Sequence, residues 1–204
     1  MTDIRQHWNE VYDTKADDEV SWFQVRPLTS LALIEAVAPH PAAAVIDIGA
    51  GTSTLVDELL VRGYRDLTAL DISESAIARL RERFRKSGAG IDPIVADITH
   101  WDPPRQWDVW HDRAVLHFLV RPEDQDAYIE SLGRALVPGG TAIIATFAPD
   151  GPEKCSGLPV QRYSAATLAE RLGPDFTLVT ERLERHVTPR GVTQSFVYAV
   201  FRRR

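Results

Sequence analysis

The sequence predicts an α/β fold: a doubly wound, mostly parallel sheet of seven strands. Three observations predict it. Between residues 40 and 147, strand-like apolar runs alternate with helical patterns, the order that yields parallel strands covered by helices on both faces. One of those strands, "AAVIDIG", runs straight into Gly49-Ala50-Gly51 and then a helix. The chain closes with "FTLVTERLERHVT" and "TQSFVYAVFRR" around "PRG", which reads as an antiparallel hairpin at one sheet edge.

Taken in order, residues 3–14 carry an amphipathic helical pattern, and the irregular "KADDEVSWFQVRP" follows. A helix over roughly 28–38 stops before "PHP", and "AAVIDIG" is a buried strand. "TSTLVDELLVRG" is a helix closed by Gly63, and "LTALDIS" is the second strand. Ser73 can cap the next helix, "ESAIARLRERFRKSG", in which Ala76, Ile77 and Leu80 recur at helical spacing. "DPIVADI" and "WDVWHD" are two further strands. A helix from about 123 to 137 ends in "VPGG", "TAIIATF" is the next strand, and a short helix near 164–172 precedes the final pair.

The 204 residues, 44% hydrophobic and 25% charged, suit a single domain over 1–204, with N-terminal lid helices over 1–38 and a core over 40–204. The polar opening "MTDIRQHWNEVYD" is not expected to be a signal peptide, and no apolar run approaches a membrane span. The lone Cys155 cannot form an internal disulfide, which points to a reducing, cytoplasmic setting. A net charge of −6 argues against nucleic acid as a partner, and the terminal "FRRR" reads as a solvated tail. No membrane partner is expected, and the state is left as monomer or homodimer.

The chemistry concentrates at strand ends. In "VIDIGAGTSTL" the glycines let a ligand approach the backbone where a helix N-terminus offers free N–H groups. Such a turn serves several nucleotide cofactors. Asp47 before the glycines suits a ligand bearing an ammonium and a sulfonium rather than a pyrophosphate. Thr54 stands where a dinucleotide turn wants Gly or Ala. Asp71 ends the second strand, where a carboxylate can accept from both ribose hydroxyls, and Asp97 follows the third.

With these motifs, residues 40 to 147 resemble the class I S-adenosylmethionine (SAM)-dependent methyltransferases. The resemblance implies SAM as cofactor, with S-adenosylhomocysteine as its product. It implies Asp47, Gly49 and Gly51 near the methionine part, Asp71 and Ile72 at the ribose, and Asp97 with Ile98 around the adenine. Ser53 departs from the fuller glycine pattern but can donate a hydroxyl to the cofactor.

The acceptor side is read from "DVWHDRAVLHFL", which sets His111, Asp112 and Arg113 where a strand turns into a helix-like run. Asp112 and Arg113 can offset each other's charge beside the methyl-transfer position. His117, one helical turn past Arg113, can share its face and act as a base. "DRAVLHFL" and the opening "HWNEVYDTKADDEVSWFQVRPLTSL" resemble thiopurine S-methyltransferases and related small-molecule methyltransferases. That resemblance implies a small acceptor, a thiol or other soft nucleophile among the candidates, with Arg113 lining its pocket. It also implies Trp8, Tyr12, Trp22 and Phe23 as a lid, where aromatic faces suit the sulfonium cation; packing of an N-terminal helix is the alternative role for them. The opening also resembles some protein-lysine methyltransferases, which keeps lysine as an alternative acceptor, and a noncatalytic SAM-binding protein is the third reading. No metal site is expected from His111, His117 and Cys155. Cys155, between two glycines, is an incidental loop residue or a reactive thiol.

Overall fold

In the computed structural model, which describes residues 3–87 and 90–204, seven strands form one sheet in the order β3-β2-β1-β4-β5-β9-β8. Their ranges are β1 Val45–Ile48, β2 Leu67–Asp71, β3 Asp92–Val95, β4 Trp107–Arg113, β5 Leu136–Phe147, β8 Phe176–Val187 and β9 Thr193–Arg203. β1, β2, β3, β4 and β5 run parallel, and β9 pairs antiparallel with both β5 and β8. The expected hairpin is present, with its second strand inside the sheet and β8 at the edge.

Among the described residues six α-helices accompany the sheet: α1 Ile4–Thr14, α2 Leu28–Val37, α3 Leu55–Val61, α4 Glu74–Ser87, α5 Pro122–Ala135 and α6 Ala165–Leu172. Two layers of core follow from the two-residue period of the strands. Ile46, Ile48 and Trp110 join Tyr128, Leu132 and Leu168 on the α5–α6 face. Val45, Val109 and Tyr198 join Leu31, Ile34 and Leu55 on the α2–α3 face. Strand order reverses at β1 and β4, whose register pairs Asp47 with His111 and Ile48 with Asp112. A crevice opens at such a switch point, outside the carboxyl ends of the strands.

α1 is fastened above that crevice. Asp3 caps it, accepting from Arg5 N at 3.0 Å and Gln6 N at 3.4 Å. From its body, Asn9 Oδ1 accepts from the Ser73 hydroxyl at 2.8 Å, and Arg79 donates to the Tyr12 carbonyl.

Four local expectations change. α5 stops at Ala135 instead of 137, because Leu136 leaves helical geometry (φ −91°, ψ 136°) and opens β5, pairing with Trp107 of β4. α3 begins at Leu55 rather than at residue 52, with Ser53 Oγ accepting from Leu55 N at 3.1 Å. "GPEKCSGLP" forms a small hairpin, β6 Lys154–Cys155 with β7 Leu158–Pro159, that the sequence pattern did not indicate. After Arg113 the chain makes a 3₁₀ turn over Leu116–Phe118 instead of a helix. Gly88, the expected stop of α4, lies outside the described residues. No helix among the described residues is long and apolar enough to cross a membrane.

Candidate active site

The turn after β1 sets the floor of the site. Gly49 and Gly51 adopt φ +63° and +53°, a region that side chains disfavour. Each is also pressed by a neighbour. A Cβ on Gly49 would stand 2.1 Å from Val115 Cγ2, and one on Gly51 would stand 2.3 Å from the Tyr12 hydroxyl. Gly51 N donates to Asp71 Oδ2 at 2.8 Å, and Asp71 Oδ1 accepts from Ser73 N at 2.8 Å. Burial pushes the Asp71 carboxyl up to about 6 although backbone N–H groups of Ser73, Gly51 and Ile72 pull the other way.

Above this floor lies an open cleft between the glycine turn and α1. One wall carries Gly49, Asp71, Ile72, Asp97 and Ile98; the roof carries Trp8, Tyr12 and Trp22; the far wall carries Arg113, Val115, Phe118, Leu119 and Cys155. Eight of the expected cofactor residues therefore meet around one space. Partial burial raises the Asp97 pKa, but hydrogen bonds from Thr99 and His100 outweigh it and hold the carboxyl below its usual value. The roof is an aromatic cluster: Trp8 meets Trp22 and Phe118 edge to face at 5.7 and 4.9 Å between ring centres.

A second recess shares Trp22, Gly49 and Arg113 with the cleft and is lined by Asp47, Ser53, Phe23, Ser30 and His111. Phe23 thus faces this recess rather than the main cleft. Asp47 is tied into a buried chain. Its Oδ1 lies 2.7 Å from His111 Nδ1, and His111 Nε2 lies 2.9 Å from Ser30 Oγ. With the carboxylate as acceptor, the imidazole proton sits on Nδ1 and the serine hydroxyl donates to Nε2. Sequence reasoning assigned no partner to Asp47, yet the parallel register of β1 and β4 places His111 beside it.

Two sequence expectations are corrected here. Asp112 does not face the cleft. It is fully buried on the opposite sheet face, accepting from Val115 N at 2.8 Å, Leu116 N at 3.0 Å and the Tyr128 hydroxyl at 2.6 Å. Burial raises its pKa to about 6. Successive strand residues point to opposite faces, so Asp112 cannot offset the charge of Arg113. Arg113 instead donates to the Tyr198 hydroxyl and the Trp22 carbonyl, both at 3.0 Å, lies 3.8 Å from Glu184 and stacks 4.6 Å over Phe196.

His117 is not on the walls of the cleft or the recess. Ala114 turns the chain with φ +76°, so no helical face joins residues 113 and 117. The imidazole is fully buried between Phe118 and Phe147, and its Nδ1 accepts from Phe147 N at 3.3 Å. Burial, aided by the Arg113 charge, pushes its pKa down to about 3. Cys155, expected in a loop, lies on the cleft's far wall, and burial raises its thiol pKa. Among the described residues no group of three or more His, Cys, Asp or Glu could hold a metal ion.

Residues 45–140 match the protein family described as "Methyltransferase domain". An eEF1A lysine and N-terminal methyltransferase of Mus musculus is 25% identical over 151 residues, covering 70% of this chain and 21% of that protein. An uncharacterized methyltransferase of Mycobacterium bovis is 32% identical over 117 residues, covering 57% of this chain and 56% of that protein. The chain thus spans about a fifth to about half the length of these relatives. Among solved structures, the N-methyltransferase NodS of Bradyrhizobium japonicum with S-adenosylhomocysteine superposes with a TM-score of 0.73 at 17% identity, covering 97% of this chain and 98% of that one. A protein solved in work on converting a disulfide bond into a thioacetal group in echinomycin biosynthesis gives 0.78 at 23% identity, covering 98% and 92%. The sheet order is that of the class I methyltransferase fold these structures share, and the family match at 45–140 runs from β1 and its glycine turn to the start of β5.

Proposed function

We propose that the protein transfers a methyl group from SAM to a small, soft nucleophile such as a thiol. The residues present suit this cofactor. Asp71 offers a buried carboxylate for the ribose diol, Asp97 an acceptor at the adenine end, and Asp47 an anion for the methionine ammonium, while the indoles present faces to a cation. Ser53, in the recess with Asp47, can donate toward the same end. Bound SAM supplies a methyl already activated on sulfonium. The chain's own task is to align the acceptor with it and exclude water.

One observation carries the acceptor class. The far wall and roof offer indoles, Phe118, Leu119, a guanidinium and a thiol of raised pKa, but no side chain that is a base at neutral pH. With His117 buried elsewhere, Asp112 on the other face and His111 held between Asp47 and Ser30, an acceptor needing proton removal finds no free base on these two walls among the described residues. A thiol of pKa about 8.5 needs little, and the Arg113 cation favours its thiolate. An apolar cleft and a net charge of −6 fit a small molecule rather than nucleic acid or a membrane as partner, and a cytosolic setting.

The test is labelled-methyl transfer to small thiols, phenols, amines and lysine-containing proteins. Thiol methylation without protein substrate, rising with pH as thiolate forms, is the expected result. Transfer confined to lysine would support the reading suggested by the mouse relative, and no transfer to any acceptor would support a SAM-binding role without catalysis.

A further inference from the structure

β8 is an edge strand of twelve residues with no strand on its outer side. Long bare edges invite pairing, and proteins commonly guard them with charged side chains, proline or bulges. This one has a bulge near Leu178–Thr180, and its central charges are of both signs, so they repel a second copy only in some registers. Beyond the bulge, Glu181, Leu183, Arg185 and Val187 share one face and are all exposed, Leu183 at 73% and Val187 at 60%. Val192, in the turn after the strand, adds 58% exposure beside them. Among the described residues, Glu181, Arg182 and Arg185 make no ion pair.

The run Glu181-Arg182-Leu183-Glu184-Arg185 is complementary to itself when reversed. Paired antiparallel with a second copy about an axis through Leu183, Glu181 of each copy opposes Arg185 of the other. The two Leu183 side chains meet on the axis, while Glu184 stays engaged with Gln24 and Arg113 on the other face. Opposite charges directly across an antiparallel pair stabilise it, and like charges destabilise it. Parallel pairing in register would set Glu181 against Glu181 and Arg185 against Arg185. The charge order therefore selects one orientation, the one a two-fold isologous dimer needs.

We propose that β8 is a homodimer interface, with two copies joined edge to edge into a continuous fourteen-stranded sheet by antiparallel β8–β8 pairing centred on Leu183. The other face of β8 reaches the cleft. Glu184 accepts from Gln24 Nε2 at 3.2 Å, and His186 Nε2 lies 2.7 Å from the Ser21 carbonyl. Pairing β8 steadies the strand that holds the segment carrying Trp22. One strand pair and its flanking side chains bury less than a standard interface, so the dimer is weak and concentration-dependent.

Sedimentation equilibrium over a concentration series into the high micromolar range tests this. The wild type should show a reversible monomer–dimer equilibrium. Arg185→Glu and Glu181→Arg, each placing like charges across the axis, should weaken it about tenfold or more. The double exchange Glu181→Arg with Arg185→Glu restores complementarity and should restore the dimer. Circular dichroism checks that these exposed substitutions leave the fold intact, and the two single variants serve as substitutes for each other. A monomer at every concentration overturns the proposal. So does a dimer indifferent to the single exchanges, or one that the double exchange fails to rescue.

Discussion

Replacing Gly51 by alanine tests whether α1 is seated on the glycine turn. At φ +53° the new residue meets a left-handed penalty of about 1–2 kcal/mol. Its Cβ would also stand 2.3 Å from the Tyr12 hydroxyl and 3.1 Å from Cζ, and overpacking of that kind costs about 1–3 kcal/mol. The lower entropy of the unfolded alanine chain returns only about 0.4–1 kcal/mol. Gly51→Ala should therefore lose about 1–5 kcal/mol in urea unfolding and weaken S-adenosylhomocysteine in calorimetry. Tyr12→Phe removes the nearest obstacle and leaves the backbone strain. In the double variant the steric part should be partly recovered, a coupling of about 1–2 kcal/mol toward rescue. Strict additivity of the two changes would refute the contact and with it the seating of α1.

Two other outcomes follow from buried ionisable groups. Asp71, raised to about 6 by burial, should hold the ribose best when ionised, so S-adenosylhomocysteine affinity falls as pH drops through that value and stays flat in Asp71→Asn. In the unliganded protein its raised pKa means the fold favours the protonated form. That contribution is present below the unfolded pKa and lost as pH rises through about 6. The unfolding free energy of wild type relative to Asp71→Asn should thus shrink by up to about 3 kcal/mol between roughly pH 4 and pH 7, and a constant difference would count against it. His117, held near 3, is neutral at every assay pH, so His117→Ala should lower kcat/KM by one common factor for a pre-ionised thiol and a phenol. A loss confined to the phenol would return His117 to the role of base.

The fold was legible because local and long-range signals agreed. β1, β2 and β4 stop at Gly49, Asp71 and Arg113, where the cleft begins, and were bounded to within a few residues. The place of Asp71 and Asp97 on the cleft wall was legible because each follows an apolar strand at its carboxyl end, although Asp112 shows that such a carboxylate can serve the fold alone. The His111–Asp112–Arg113 run was misread in a way the sequence itself could have corrected. A strand's two-residue period already sends Asp112 to the face opposite His111 and Arg113. The position of His117 was not legible, since it rests on Ala114 adopting φ +76°, and alanine carries no signal for that conformation. The Ser30–His111–Asp47 chain depends on how α2 sits across two parallel strands, a relation spanning 81 residues between Ser30 and His111.

The placement of β9 between β5 and β8 also constrains the order in which the molecule can assemble. β8 is synthesised first, yet it touches the sheet only through β9. Until residues 193–203 have reached β5, β8 can pair only within an isolated β8–β9 hairpin, which is marginally stable at best. Formation of that edge must therefore come late and hinge on contacts far apart in sequence, the kind that slow folding. A pulse-labelling hydrogen-exchange experiment should find amides of β1, β4 and β5 protected before those of β8. It is in that interval, rather than in the finished protein, that the chain is most exposed to aggregation.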